Sequence, residues 1–198
     1  MKNKAVFLDR DGTINIEKNY LYRIEDFVFL PGVIEALRLI QSCGYLLIII
    51  TNQSGIARGY YEEADFQKLN EWMLETLKEQ GVKIDAVYYC PHHPEGKIER
   101  YRIKCHCRKP KTGMFYQAVE DFSLDLAQCF AVGDKIRDCS ICENTMCQGF
   151  LVGENEKPEV IRQVKAGEIR NVEWAANLLE CVESIAVRRT VADYSPCS

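Results

Sequence analysis

The chain lacks the sequence features of a membrane-spanning, exported or polyanion-binding protein. Among its 198 residues, no apolar run approaches the roughly 20 residues that a membrane-spanning helix requires. No charged segment followed by an apolar one opens the sequence, as it would in an export signal. The formal net charge is −4, so the molecule as a whole does not attract polyanions. We therefore expect a cytoplasmic monomer with no membrane or nucleic-acid partner.

Internal repeats and low-complexity tracts are also missing, which indicates an ordinary globular chain. Hydrophobic residues make up 47% of the sequence, enough to build a core without covalent staples. Ten cysteines would suit a disulfide scaffold, but such scaffolds are small, loop-rich and exported. Reduced thiols fit better, some on a metal and others, at Cys139, Cys142 and Cys147, as small core residues. We expect one domain over residues 1–185 and a flexible tail over 186–198.

Apolar runs alternate with amphipathic segments along the chain. We predict strands at residues 4–8, 45–50, 84–89, 129–132 and 149–152, and helices at 31–43, 62–80, 113–122, 136–146, 158–165 and 173–182. This alternation is typical of a doubly wound parallel α/β sheet. In such sheets ligands bind beyond the carboxyl ends of the strands. Four polar residues follow predicted strands and should share that edge: Asp9, Thr51, Cys90 and Asp134.

Two carboxylates, Asp9 and Asp11, follow the first strand with one residue between them. Their spacing puts them on one side of an extended chain, and Gly12 permits a turn just beyond them. A plain strand-to-loop turn with solvated acidic residues is the simpler alternative. For phosphate chemistry, Asp9 is the candidate nucleophile, because a carboxylate can attack phosphorus and form an aspartyl-phosphate. Asp11 is the candidate acid for the leaving alkoxide and then the base for the attacking water.

Further polar residues complete a set for phosphoryl transfer. Asp134 and Asp9, with a backbone carbonyl near Asp11, would suit Mg²⁺, which prefers oxygen ligands. Thr51 and Lys109 could hold the equatorial phosphoryl oxygens. Each residue alone also fits a helix cap, a turn or a solvated charge, but their occurrence together in this order favours the catalytic interpretation. Three more residues could bind the rest of a substrate or brace the site: Arg58, Lys135 and Asp138.

Cysteine and histidine cluster in residues 90–107, which overlap a locally basic segment. Cys90, Cys105 and Cys107 lie there with all three histidines of the chain. Three thiolates and one imidazole form the closed tetrahedral set of a structural zinc site, and buried thiols with solvated histidines are the alternative. Bound zinc would hold this loop and the nearby Lys109 in place. Spacing alone leaves three candidates for the fourth ligand: His92, His93 and His106.

Five separated motifs resemble those of the haloacid dehalogenase superfamily of aspartyl-phosphate phosphatases. They are DRDGTIN at residues 9–15, TNQSGIARG at 51–59, YCPHHP at 89–94, CRKP at 107–110 and GDK at 133–135. Within the superfamily they are similar to the family that acts on D-glycero-D-manno-heptose 1,7-bisphosphate. The resemblance implies a fold without a cap domain and points to His92 as the fourth zinc ligand. The residues then expected to contact substrate are Arg10, Glu17, Lys18, Asn19, Tyr20, Thr51, Asn52, Gln53, Ser54, Arg108, Lys109 and Lys135.

The function expected from this resemblance is Mg²⁺-dependent removal of the 7-phosphate from that small phosphorylated sugar. The reaction would supply activated heptose for surface polysaccharide such as lipopolysaccharide. Histidinol-phosphate phosphatase, a related activity, is the alternative. A phosphomutase would need a cap domain to exclude water, and the segment between the first two strands is too short for one. A nucleic-acid 3′-phosphatase would need a broad basic face, and a non-catalytic zinc module would not need the carboxylates.

Overall fold

The computed structural model describes residues 2–193, with side chains described through residue 186. Six strands lie within this range: β1 Ala5–Leu8, β2 Leu46–Asn52, β3 Ala86–Cys90, β4 Phe130–Gly133, β5 Gln148–Val152 and β6 Val172–Ala175. The α-helices are α1 Val33–Ser42, α2 Ser54–Arg58, α3 Glu63–Glu79, α4 Gly113–Phe122, α5 Pro158–Lys165 and α6 Leu178–Asp193. Shorter 3-10 helices cover Ile24–Asp26, Glu99–Tyr101, Leu126–Gln128 and Ile136–Cys142.

The strands form one sheet in the order β3-β2-β1-β4-β5-β6, and every pairing is parallel. The direction of winding reverses between β1 and β4, where Leu8 is in register with Val132. A crevice opens at such a reversal, beyond the carboxyl ends of the two strands. The predicted doubly wound fold is therefore confirmed, and its switch point lies next to Asp9 and Asp134.

Strand β1 is buried on both faces, which explains its continuous apolar sequence. Val6 and Leu8 face the layer of α1, α3 and α6, whereas Ala5 and Phe7 face the layer of α4 and α5. The Phe7 ring packs edge-on against Phe115, with the ring centroids 5.2 Å apart. Burying side chains of this size contributes about 1.5–3 kcal/mol each relative to exposure. These two cores fix the position of the loop that follows β1.

Helix α3 shows how closely local sequence signals match the fold. The Asp65 carboxylate accepts a hydrogen bond from the Glu62 backbone N–H at 2.8 Å, which closes a capping box at the start of the helix. Its buried face is the predicted stripe at spacings of three and four residues, ending before Gly81. The buried residues of α3 are Phe66, Leu69, Met73 and Leu77.

Two helix predictions in the second half of the chain differ from the structure. The segment after β4 forms only the 3-10 helix Ile136–Cys142, in a tight turn where the Asp138 carboxylate accepts from the Lys135 backbone N–H at 3.0 Å. In the segment predicted as a helix at 173–182, residues 173–175 belong to β6, paired with β5, and helix begins only at Leu178. The four residues of β6, buried at both ends and partly exposed between them, give too short a pattern to separate from a helical one.

The predicted tail begins inside a helix. Helix α6 continues through Asp193, and the remaining five residues, 194–198, lie outside the described range. The preceding buried side chains Cys181, Val182 and Ile185 pack in the same core as α1. The short helix α2, directly after β2, was not predicted. None of the helices in the described part of the chain is both long and apolar enough to cross a membrane.

Candidate active site

The loops after β1 and β4 meet at the switch point of the sheet. Gly12 adopts φ +88°, a conformation that side-chain-bearing residues rarely take. A Cβ atom at this position would also overlap the Asp134 carboxylate. Glycine therefore allows the two loops to approach closely, and the predicted convergence of Asp9 and Asp134 depends on it.

Three buried carboxylates and one buried lysine lie together at this point. Asp9, Asp134 and Asp138 offer oxygen atoms that all lie within 4.8 Å of one another. The Lys109 Nζ atom is 2.8 Å from Asp9 Oδ1 and 2.7 Å from Asp138 Oδ1, and it donates to the Ile50 carbonyl oxygen at 2.6 Å. One ammonium group thus pairs with two of the three carboxylates in a site that is almost closed to water.

The charges of this group are poorly balanced, which makes the site suitable for a cation. Burial, with a contribution from Asp138, raises the pKa of Asp9 to about 7 although Lys109 opposes the shift. Burial, again with a contribution from Asp138, raises the pKa of Asp134 to about 6. A hard divalent cation prefers carboxylate oxygens and would offset this repulsion. The residues present therefore fit Mg²⁺.

The Asp11 carboxylate lies in a different set of contacts. Arg10 donates two hydrogen bonds from Nη2 to its two oxygens, at 2.9 and 2.8 Å. Asn15 and Gln53 donate to it at 3.0 Å each. The Asp11 side chain is thus outside the three-carboxylate group, and its contribution to a metal through a backbone carbonyl stays a prediction. Arg10 is fully buried and its side chain orients Asp11. A contact of Arg10 with substrate stays a prediction.

Gln53 links Asp11 to the end of β2. Its Nε2 atom donates to Thr51 Oγ1 at 2.9 Å as well as to Asp11, and its Oε1 atom accepts from the Tyr61 hydroxyl at 2.6 Å. Asn52 holds the backbone of Lys109 from both sides, since it accepts from its N–H at 3.0 Å and donates to its C=O at 3.1 Å. The strand end therefore positions both the candidate acid and the buried lysine.

A cleft of about 230 Å³ opens beside these residues. This volume is below the roughly 300 Å³ at which sites for drug-sized ligands begin, so it suits a small polar substrate. Five residues predicted to contact substrate do not line the cleft. Arg10, Thr51 and Lys109 are buried beside it. Lys18 is exposed, and the Lys135 ammonium group donates to the Asn155 carbonyl oxygen. The lining residues are Asp11, Glu17, Asn19, Tyr20, Asn52, Gln53, Ser54, Arg58, Tyr61, Arg108 and Arg137.

Three functional candidates were missed or ranked too low by sequence reasoning. Asp138 was expected only to brace the site, although it stands four residues after Asp134, a spacing that puts two side chains on the same side of a helical turn. That spacing was the available signal. Tyr61 and Arg137 line the cleft but carry no motif, so nothing in their sequence context singled them out.

The Cys90, His92, Cys105 and Cys107 side chains form a second group that could hold a metal ion, with all four ligand atoms within 4.8 Å of one another. The Cys90 sulfur lies 3.5 Å from that of Cys105 and 3.1 Å from that of Cys107. His92 Nδ1 is 3.3 Å from Cys107 Sγ. This donor set fits structural zinc. In contrast, His93 contacts Arg58 through Nε2 at 2.9 Å.

The remaining cysteines near the site are core residues in this structure. Cys139, Cys142 and Cys147 are each at most 3% exposed and pack in the layer of α4 and α5. A side chain at Gly149 would collide with Cys139. Among the described residues, the two groups above are the only ones with metal-ligand spacing, so a second thiolate site is not indicated.

Known proteins share this architecture and these motifs. Residues 4–147 match the family model described as polynucleotide kinase 3 phosphatase. The chain is 56% identical over 144 residues to the D-glycero-beta-D-manno-heptose-1,7-bisphosphate 7-phosphatase of Haemophilus ducreyi, covering 72% of this chain and 79% of the relative. It is 54% identical over 136 residues to the Haemophilus influenzae protein of the same name, covering 69% and 73%. D,D-heptose 1.7-bisphosphate phosphatase from B. bronchiseptica, crystallised with magnesium and phosphate, has a TM-score of 0.77 at 28% identity, covering 94% of this chain and 99% of the other.

Proposed function

Because the chain belongs to the D-glycero-beta-D-manno-heptose-1,7-bisphosphate 7-phosphatases of the haloacid dehalogenase superfamily, we propose that it removes the 7-phosphate from that sugar bisphosphate. The chain is a phosphatase that hydrolyses a phosphate ester of a sugar bisphosphate. The observation that carries the substrate proposal is the 56% identity to a relative of that name over 79% of its length.

In the first step, Asp9 attacks the phosphorus atom of the 7-phosphate. Lys109 pairs with Oδ1 of Asp9, which leaves Oδ2 as the attacking atom. The new bond joins this oxygen to phosphorus, and the bond from phosphorus to the sugar oxygen breaks. Asp11 donates its proton to that departing oxygen, so the sugar leaves as a neutral alcohol. Thr51 and Lys109 hold the phosphoryl oxygens during the transfer.

In the second step, Asp11 takes a proton from a water molecule that attacks the aspartyl-phosphate. The bond from phosphorus to Asp9 breaks, inorganic phosphate leaves, and both carboxyl groups return to their starting states. The contacts of Asp11 with Arg10 and Gln53 keep the carboxyl group aimed at the reacting atoms in both steps. One residue therefore acts first as an acid and then as a base.

Asp9, Asp134 and Asp138 would hold Mg²⁺, and a bound ion would neutralise charge between the carboxylates and the phosphate dianion. The protein with the similar structure from B. bronchiseptica was crystallised with magnesium and phosphate. Cys90, His92, Cys105 and Cys107 would hold Zn²⁺, whose role is structural because four protein ligands leave no open position. Zinc would fix the loop that leads directly into Arg108 and Lys109.

The cleft also argues against histidinol phosphate, the alternative substrate. Its lining carries Arg58, Arg108 and Arg137, and histidinol carries an amine that is cationic at neutral pH. Like charges would weaken its binding. We further propose that the enzyme acts as a monomer in the cytoplasm, where it would supply activated heptose for surface polysaccharide.

Purified protein with Mg²⁺ should release phosphate from D-glycero-D-manno-heptose 1,7-bisphosphate with a kcat/KM at least tenfold above that for histidinol phosphate. Phosphorus NMR should show loss of the signal at position 7 while the signal at position 1 remains. Preference for histidinol phosphate, or loss of the phosphate at position 1 first, would overturn the substrate assignment.

A further inference from the structure

Three arginines share the lining of the cleft, in a chain whose net charge is negative. Arg58 belongs to α2, Arg108 follows the cysteine and histidine cluster, and Arg137 lies in the 3-10 helix after β4. The only carboxylates in the same lining are Asp11 and Glu17, and Asp11 is already paired with Arg10. The cleft therefore holds more positive charge than its own residues neutralise.

The three guanidinium groups are close enough to influence one another. All three line one cleft of about 230 Å³, so their like charges repel one another. Keeping three like charges at one small cleft costs free energy unless an anion binds among them. Asp11 and Glu17, the carboxylates of the lining, form no ion pair with these three arginines, which indicates a binding role.

These arginines make few hydrogen bonds with the protein: Arg58 Nη2 contacts His93 Nε2 at 2.9 Å, and Arg108 Nη1 donates to the His92 carbonyl oxygen at 3.5 Å. Within residues 2–186, no carboxylate lies in ion-pair contact with Arg58 or Arg108, and the buried Arg58 Nε atom has no hydrogen-bond partner. Arg137 approaches Asp138 Oδ1 only at 4.0 Å, the outer limit of an ion pair, and its side chain is 47% exposed. A planar guanidinium with free donors matches the geometry of a phosphate group.

We propose that Arg137 binds the phosphate that the reaction leaves in place, the one at position 1, and thereby selects doubly phosphorylated sugars over singly phosphorylated ones. This inference rests on the proposed function. Arg137 stands three residues after Asp134, so its backbone is fixed next to the carboxylates that act on the other phosphate. Arg58 and Arg108 complete the same anionic subsite.

Arg137→Ala tests this assignment through substrate selectivity. We expect KM for the 1,7-bisphosphate to rise tenfold to a hundredfold, with kcat and the parameters for heptose 7-phosphate changed less than threefold. Arg137→Lys, which keeps the charge but loses the planar fork, should recover part of the selectivity. Arg102→Ala is the matched control, since Arg102 is an exposed arginine of the same protein outside the cleft lining. It should leave both substrates unaffected.

A second readout does not need turnover. The product, heptose 1-phosphate, should bind the Arg137→Ala variant at least tenfold more weakly than the wild type in calorimetry. Equal losses on both substrates, or unchanged selectivity and unchanged product binding, would overturn the role of Arg137. These outcomes are separate from the proposed function, which fails only if the wild-type enzyme itself does not hydrolyse the bisphosphate.

Discussion

The candidate site contains buried charged side chains that stabilise one another only as a group. Lys109 is 2% exposed, and its ammonium group contacts Asp9 and Asp138. With Asp134, three buried carboxylates therefore accompany one lysine. Charges buried in this way are costly unless they are paired. A substrate phosphate and a cation, as proposed above, would balance these charges.

Proton binding at these carboxylates predicts a dependence of stability on pH. The pKa of Asp9 is raised from 3.8 to about 7 in the folded state, so the folded state binds more protons than the unfolded state between those values. Without Mg²⁺, stability should therefore fall as pH rises from about 4 to about 7. Mg²⁺ should raise the melting temperature more at pH 8 than at pH 5, because protons compete with the ion at low pH.

Thermal unfolding in buffers with and without added Mg²⁺ measures this directly. The Asp9→Asn variant cannot titrate at that position and should show a shallower fall in stability over the same pH window. A melting temperature that responds equally to Mg²⁺ at both pH values would contradict the linkage.

The hydrogen bond from Tyr61 to Gln53 predicts a second effect at the scale of single residues. Tyr61→Phe removes a 2.6 Å bond that orients the amide group facing Asp11. Such a bond contributes about 0.5–1.5 kcal/mol net, so kcat should fall roughly twofold to tenfold while KM changes little. Tyr60→Phe is the control, since the neighbouring Tyr60 is 50% exposed. Equal effects of the two substitutions would show that Tyr61 does not position Gln53.

At the scale of elements, the loop from β3 to α4 supplies residues that no regular strand or helix could place. The cysteine and histidine cluster closes this loop, and the next two residues are Arg108 and Lys109. Asn52, at the end of β2, then fixes the Lys109 backbone. Ordering a loop of this length costs conformational entropy, and the proposed four-ligand metal would offset that cost.

His92→Ala tests this coupling between the metal cluster and the site. The variant should lose bound zinc, measured by mass spectrometry of metal content, and its kcat should drop at least tenfold because Lys109 is no longer held. His106→Ala is the control, since His106 is an exposed histidine of the same loop outside the cluster. Full activity in a zinc-free His92→Ala protein would show that the loop holds Lys109 without metal.

At the scale of the whole molecule, some secondary-structure elements could be predicted from the sequence and others could not. Elements with long apolar patterns, such as β2 and α3, follow from the sequence. Strand β1 and the acidic residues after it follow from a continuous apolar run. The strand β6 and the 3-10 helix after β4 do not, because both mix buried and exposed residues over four to seven positions. Short strands with continuous apolar runs, such as β1 and β4, were predicted, whereas short segments of mixed pattern were not.

The site residues also separate into those that the sequence indicated and those that only the structure showed. Asp9, Thr51 and Asp134 stand in contiguous motifs at strand ends, and the parallel sheet brings them together. Lys109 stands in a contiguous motif of the loop between β3 and α4. Contacts between distant segments leave no local signal, so the burial of Arg10, the position of Tyr61 and the cleft-facing Arg137 emerged only in three dimensions. These residues hold or extend the predicted site rather than define it.

The central claim is that Asp9 carries the phosphoryl group between substrate and water. A rapid-quench single turnover with substrate radiolabelled at the 7-phosphate tests it most directly. The wild-type enzyme should show transient labelled protein that is cleaved by hydroxylamine, as an acyl phosphate is, and that decays as phosphate appears. Asp9→Asn should show neither labelled protein nor phosphate. Phosphate released by the wild type with no labelled protein at any time, or label retained in Asp9→Asn, would contradict the account.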